Sequence, residues 1–187
     1  MGAHETGTVI DWSARFPGLF APLHVDYANA DVTFTVDPAP EDLVARIHCV
    51  AVVPDGGVIV CRSIDGWRFL PGGTREPAET ITGSVTRELL EEAGARVTGE
   101  VTVFASQVAQ SRNAGPYRPH LPHPLAYWAF AITTAEIVQP PTNPADGEHV
   151  IEVLALPPTE AAAWLAVHDP GHADVVRLAQ AMGLIAD

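Results

Sequence analysis

Residues 73–95 read GTREPAETITGSVTRELLEEAGA, and two patterns are superimposed in them. Ile81, Val85, Leu89 and Ala93 recur every four residues, which predicts a helix over Thr80 to Ala93 with one apolar stripe. Gly94 then supplies the residue type that most readily takes the left-handed conformation ending a helix. Beside the stripe lie Glu88, Glu91 and Glu92. Residues three and four apart share a helix face, so at about 100° per residue the three carboxylates fall within roughly a 100° sector, giving the buried stripe one acidic edge. Alone, an E..EE helix is most often a solvated face. Here it follows Gly73 by way of five residues, Glu79, seven residues and Arg87, a spacing that composition does not produce by accident.

Outward from this segment the chain alternates strand and turn signals. Ile47 to Val53 is a continuous apolar run, Pro54 to Gly57 a turn and Val58 to Cys61 a second run, which together predict a hairpin. Trp67 to Leu70 reads as a short strand leading into Pro71, Gly72 and Gly73, so the motif opens on a loop. Strand patterns follow at Val101 to Val108, Leu125 to Ile132 and Val150 to Leu156, separated by Pro-rich loops over 111–124 and 138–149. Helical patterns over Thr159 to Val167 and Ala173 to Met182 flank Asp169, Pro170 and Gly171. This order gives an α/β or α+β class without choosing between them. Residues 1–40 read as an N-terminal extension, with Trp12, Phe16, Phe20 and a β-type run from Val32 to Val36. Its apolar content either completes the sheet of its own domain or pairs with a second copy, which makes it the candidate homodimer contact. Residues 41–187 hold the main domain.

The spacing from Gly73 to Ala95 resembles the Nudix box, the signature of hydrolases that cleave a nucleoside diphosphate linked to another group X. The match covers 23 of 187 residues, and the one departure is Ala95, where a bulkier aliphatic is usual. The resemblance implies an α/β/α sandwich with a mixed β-sheet. It also implies a metal-dependent pyrophosphohydrolase in which water attacks a phosphorus, giving a nucleoside monophosphate and either phosphorylated X or pyrophosphate. Three carboxylates held this close repel one another unless a cation sits among them. Hard oxygen donors facing a phosphate substrate point to Mg²⁺ or Mn²⁺. Glu88 and Glu92 are expected as principal ligands, and Glu91 as ligand or base. By resemblance, the carbonyl of Gly72 adds a ligand, Arg87 holds the carboxylates and Glu79 ties loop to helix, while Gly73 and Gly94 complete the box. Glu148, in the loop before the last strand, is the candidate ligand or base from outside the box. Its other reading is an exposed loop acid.

The loop SRNAGPYRPHLPHP, residues 111–124, offers Arg112, Tyr117, Arg118, His120 and His123 as substrate contacts, against the reading of a solvated, Pro-stiffened loop. Substrate markers of the family find no match sixteen residues beyond Ala95, where Ser111 stands. ADP-ribose or a nucleotide sugar, a modified nucleoside triphosphate and a dinucleotide all stay open. The alternative from a different class is a nucleotide-sensing module without turnover. No HExxH, CxxC, Walker loop or G-x-S-x-G elbow is present.

A net charge of −13, with ten Arg and no Lys, argues against binding a nucleic acid polymer, which needs a basic surface, but leaves a metal-bound polyphosphate open. No apolar run approaches the roughly 20 residues that span a bilayer. The opening MGAHETGTVIDW lacks a basic start and an apolar core, so no secretory signal is expected and the default location is cytoplasmic. Cys49 and Cys61 fall in apolar runs and are expected as inert buried thiols.

Overall fold

A computed structural model describes residues 10–145 and 147–186. Its centre is β3 (Val44–Val52), in which six of nine residues are buried, on both faces. Such a two-sided apolar strand belongs inside a sheet covered on both faces. β3 runs parallel to β9 (Leu125–Ile137), with Ile47 opposite Ala129 and Val50 opposite Ile132. All other pairings are antiparallel. The main path runs β1 (Leu23–Val25), β2 (Ala30–Thr35), β8 (Thr102–Ser111), β9, β3, β4 (Val58–Ser63) and β10 (Val150–Leu156). The short strands β5 (Arg68–Phe69), β6 (Gly72–Thr74) and β7 (Ala95–Val97) pair with β4, β3 and β9.

One face of this mixed sheet carries α3 (Ile81–Ala93). Val85, Leu89 and Ala93 pack there with Ile47, Cys49, Ala51 and Ile59, while Ile81 lies at the margin. The other face carries α4 (Pro158–Leu165) and α5 (Pro170–Ala181), packed on Val50, Val58, Val60 and Phe130. With helices on both sides, the architecture is the expected α/β/α sandwich. Each fully buried aliphatic side chain on these faces contributes about 1.5–3 kcal/mol.

The expected hairpin between β3 and β4 exists only at its turn, where Val52 opposes Val58. Further along, β6 takes the place beside β3, pairing Gly72 with His48 and Thr74 with Arg46. The two strands thus diverge, and the loop opening the motif enters the sheet between them. The strands within residues 10–40, β1 and β2, belong to the same sheet: β2 pairs with β8 over its whole length. Two short helices, α1 (Trp12–Arg15) and α2 (Pro17–Phe20), precede them, and Trp12, Phe16, Leu19 and Phe20 pack into the core under α5. Residues 1–9 of the expected extension lie outside the described residues.

Cys49 and Cys61 are free and buried, and burial pushes the Cys49 thiol up to about 12. Such thiols are not ionised near neutrality. Among the described residues no helix is long and apolar enough to cross a membrane.

Candidate active site

α3 is capped at both ends by residues of the motif. The Thr80 hydroxyl oxygen accepts from the Gly83 N–H at 3.0 Å, and Gly94, at φ 59°, donates its N–H back to the carbonyls of Leu89 and Leu90. A Cβ on Gly94 would stand 1.9 Å from the Gln139 carbonyl oxygen, so the chain can pass here only as glycine.

Arg87 organises the acidic edge. Its Nε donates to Glu79 Oε1 at 2.9 Å, Nη1 to Glu88 Oε1 at 2.8 Å and to Glu91 Oε2 at 3.1 Å, and Nη2 to Glu79 Oε2 and the Thr74 carbonyl, both at 3.1 Å. Glu79 is locked further by the Ser84 hydroxyl at 2.6 Å and the Glu76 N–H at 2.9 Å. Burial alone would raise the Glu79 pKa, but the Arg87, Glu76 and Ser84 hydrogen bonds outweigh it and pull the group down to about 2. The loop is held from its other side by Arg75, which donates to the Glu41, Val44 and Glu79 carbonyls.

Glu88 and Glu92 are only 7% and 6% exposed, unusually buried for carboxylates. Burial raises the Glu88 pKa against the pull of Arg87. Glu92 goes up to about 8, from burial first and then from the charges of Glu88, Glu148 and Glu91, with the Gly72 N–H opposing. That N–H donates to Glu92 Oε2 at 2.8 Å, which ties the residue expected to offer its carbonyl to a metal to a box carboxylate through its amide. Gly72 lies at φ 152°, and a Cβ would stand 2.1 Å from the Ile47 carbonyl oxygen.

Among the described residues no three His, Cys, Asp or Glu side chains stand close enough together to form a ready metal cage. The donor chemistry nevertheless fits a hard divalent cation. Each of Glu88, Glu91 and Glu92 gives one oxygen to Arg87 or Gly72 and keeps the other outside these bonds. Two of the three are buried where their own charge is disfavoured, which is the setting a cation would relieve.

Glu92 and Gly72 line a cavity of about 420 Å³, whose walls also include Glu148, Arg46, His48, Gln107, Trp128 and His172. Glu148 is exposed but faces the same space, near enough for its charge to raise the Glu92 pKa. A second cavity, of about 510 Å³, adjoins it, with Tyr27, Arg46 and Trp128 lining both.

The NUDIX domain family matches this chain over residues 43–179. The chain belongs to the Nudix family. It is accordingly a hydrolase of pyrophosphate bonds, the activity that defines the family. Its fold is similar to that of the Bacillus subtilis pyrophosphohydrolase BsRppH, solved as a point mutant, with 18% identity, a TM-score of 0.51 and coverage of 72% of this chain and 75% of that one. A NUDIX hydrolase from Nitrosomonas europaea is 17% identical, with a TM-score of 0.49 and coverage of 75% and 91%. At such identities the likeness to solved structures is one of fold. No curated protein matches the chain.

In this Nudix hydrolase the loop after β8 divides its candidates. Tyr117 and His123 line the second cavity, as does Ser111. Arg112 forms a two-pronged pair with Asp31, at 2.7 Å for each bond. Arg118 donates to Glu76 Oε1 at 2.6 Å, and His120 Nε2 lies 2.8 Å from the Arg75 carbonyl. These last two brace the box loop from outside. Arg46, His48, Gln107, Trp128 and His172 line the first cavity and escaped the sequence reading. One signal was available: Arg46 and His48 alternate in an otherwise apolar strand, so two polar side chains share the face that carries Val50 further along.

Proposed function

We propose that this Nudix hydrolase cleaves a nucleoside diphosphate linked to a second group, with Mg²⁺ or Mn²⁺ as cofactor and Glu88, Glu91 and Glu92 as its ligands. The observation that carries this reading is the oxygen each of these three carboxylates keeps outside its bonds to Arg87 and Gly72, with Glu92 among them lining a cavity large enough for a nucleotide moiety. When bound, the metal supplies a lowered pKa for its water and screening of phosphate charge. The chain's own residues do the rest. Arg87 orients Glu88 and Glu91, and Glu79 orients Arg87 in turn. Glu91, Glu92 and Glu148 are the carboxylates available to take the proton of the attacking water, and the phosphorus–oxygen bond of the anhydride breaks as the new one forms.

The test is phosphate release from a panel of nucleoside diphosphate derivatives, triphosphates and dinucleotides, with and without metal, using the wild-type and Glu92→Gln proteins. Metal-dependent turnover of one class that falls at least a hundredfold in the variant, with the fold kept, is expected. Full activity in Glu92→Gln would remove the assignment, and binding without turnover would favour a nucleotide sensor.

A further inference from the structure

Arg46 stands at the junction of the two cavities. Of the ten arginines, Arg62, Arg87, Arg96, Arg112, Arg118 and Arg177 form ion pairs with Asp or Glu. Arg46 has none among the described residues. Its Nη1 donates to the Tyr27 hydroxyl at 2.9 Å, its guanidinium lies over the Trp128 ring at 5.8 Å, and its Nε is buried with no hydrogen-bond partner. A buried donor left unmatched in a protein of net charge −13, with acids to spare, is a costly arrangement for packing alone.

The backbone shows how it is aimed. The pairing of β3 with β9 shifts register between Val44 and Arg46, and the consecutive residues Ala45 and Arg46 consequently both line the second cavity. Bulges of this kind re-aim a side chain at a site. Along the strand, Arg46 opposes Thr74 while His48 opposes Gly72, the residue whose N–H holds Glu92. Two residues of strand span roughly 7 Å. The backbone positions of Arg46 and of His48, which lies beside Gly72, are set apart by that distance, and the carboxylates of Glu92 and Glu148 share one cavity lining with the guanidinium. Among the described residues, no other Arg lines either cavity.

We propose that Arg46 is the anion clamp of the site, binding the phosphate of the diphosphate that lies away from the box carboxylates, with Tyr27 and Trp128 holding the guanidinium flat. This assignment rests on the hydrolase reading for its substrate but is tested apart from it. A planar fork with free donors binds phosphate oxygens two at a time, which a lysine cannot do.

The experiment measures binding of inorganic pyrophosphate and of ADP to the full chain by calorimetry, in EDTA and in Mg²⁺, for wild type, Arg46→Gln, Arg46→Lys and Tyr27→Phe. Melting temperatures are recorded for each. Arg46→Gln is expected to weaken both ligands at least tenfold under both conditions. Arg46→Lys should recover only part of the loss, and Tyr27→Phe, a change at an exposed side chain that keeps the charge, should cost a few-fold. Wild-type affinity in Arg46→Gln, or no pyrophosphate binding by wild type in either condition, overturns the clamp. Should Arg46→Gln fail to fold, undiminished binding in Tyr27→Phe overturns it. Arg46-dependent ADP binding without turnover of any panel substrate would keep the clamp and remove the hydrolase reading. Turnover whose KM is indifferent to Arg46→Gln would do the reverse.

Discussion

Burial, then the charges of Glu88, Glu148 and Glu91, push the Glu92 carboxyl from 4.5 to about 8, against the Gly72 N–H that favours its ionised form. A folded-state pKa above the unfolded value means that the proton helps the metal-free fold. That contribution is fully present below about 4.5 and is lost as pH rises through about 8. Glu79 behaves oppositely. Although burial opposes it, the Arg87 network holds its pKa at about 2, so its contribution is present above 4.5 and lost as pH falls toward 2. Glu92→Gln is neutral at every pH and escapes the penalty. In EDTA, wild type and Glu92→Gln should melt together near pH 4, and the variant should melt several degrees higher at pH 8. Adding Mg²⁺ at pH 8 should reverse the order, because the metal then takes the place of the proton. Thermal melts at the two pH values check this, and an unchanged order on adding metal would remove Glu92 from the ligand set.

At the scale of elements, the strand β6 and the helix α3 meet through two glycines with different jobs. A methyl group on Gly72 would run into the Ile47 backbone at 2.1 Å, with φ at 152° already unsuited to a side chain. A methyl on Gly73 would instead meet Glu88 Oε1 at 2.3 Å, a side chain that can move but is held by Arg87 at 2.8 Å. Gly72→Ala should therefore lose about 3 kcal/mol or more of stability in urea unfolding. Gly73→Ala should lose about 1 kcal/mol and yet lower kcat at least tenfold by displacing the Glu88 carboxylate. Similar stability losses in the two would contradict this division. Local pattern made α3 legible: Val85, Leu89 and Ala93 are buried as the four-residue stripe requires, and Gly94 ends the helix in the left-handed conformation. β6 was not legible, since Gly-Gly-Thr has no strand preference and becomes a strand only through its bonds to Arg46 and His48. Nor was the meeting of His48 with His172, whose rings lie 4.6 Å apart although the residues are distant in the chain, because no local spacing encodes a contact made by tertiary packing. The box carboxylates could be read from sequence because a helix brings them together by itself.

For the whole molecule, the question is what the first described residues do. Their aromatic content marked them as a candidate dimer contact, yet Phe20 and Phe34 turn inward, while Tyr27 is 78% exposed. Phe20 meets Phe34 edge-on at 5.1 Å, Phe34 leans toward Phe130 at 6.0 Å, and Leu19 is 7% exposed. β2 covers β8 from Ala30 to Thr35, while Leu19, Val25 and Tyr27 wall the cavity that contains Glu92. Removing residues 1–36 would uncover the flank of β8 and strip one wall from the candidate site. An uncovered strand flank is an aggregation template. The truncated chain is therefore expected to unfold at markedly lower urea and to precipitate, while the full chain unfolds in a single transition with coincident tryptophan fluorescence and far-UV circular dichroism. Sedimentation equilibrium on both proteins separates the alternatives. A truncated chain that stays folded as a monomer, beside a dimeric full chain, would show that the segment joins two copies. A truncated chain that is destabilised beside a full chain already monomeric would show that it completes one.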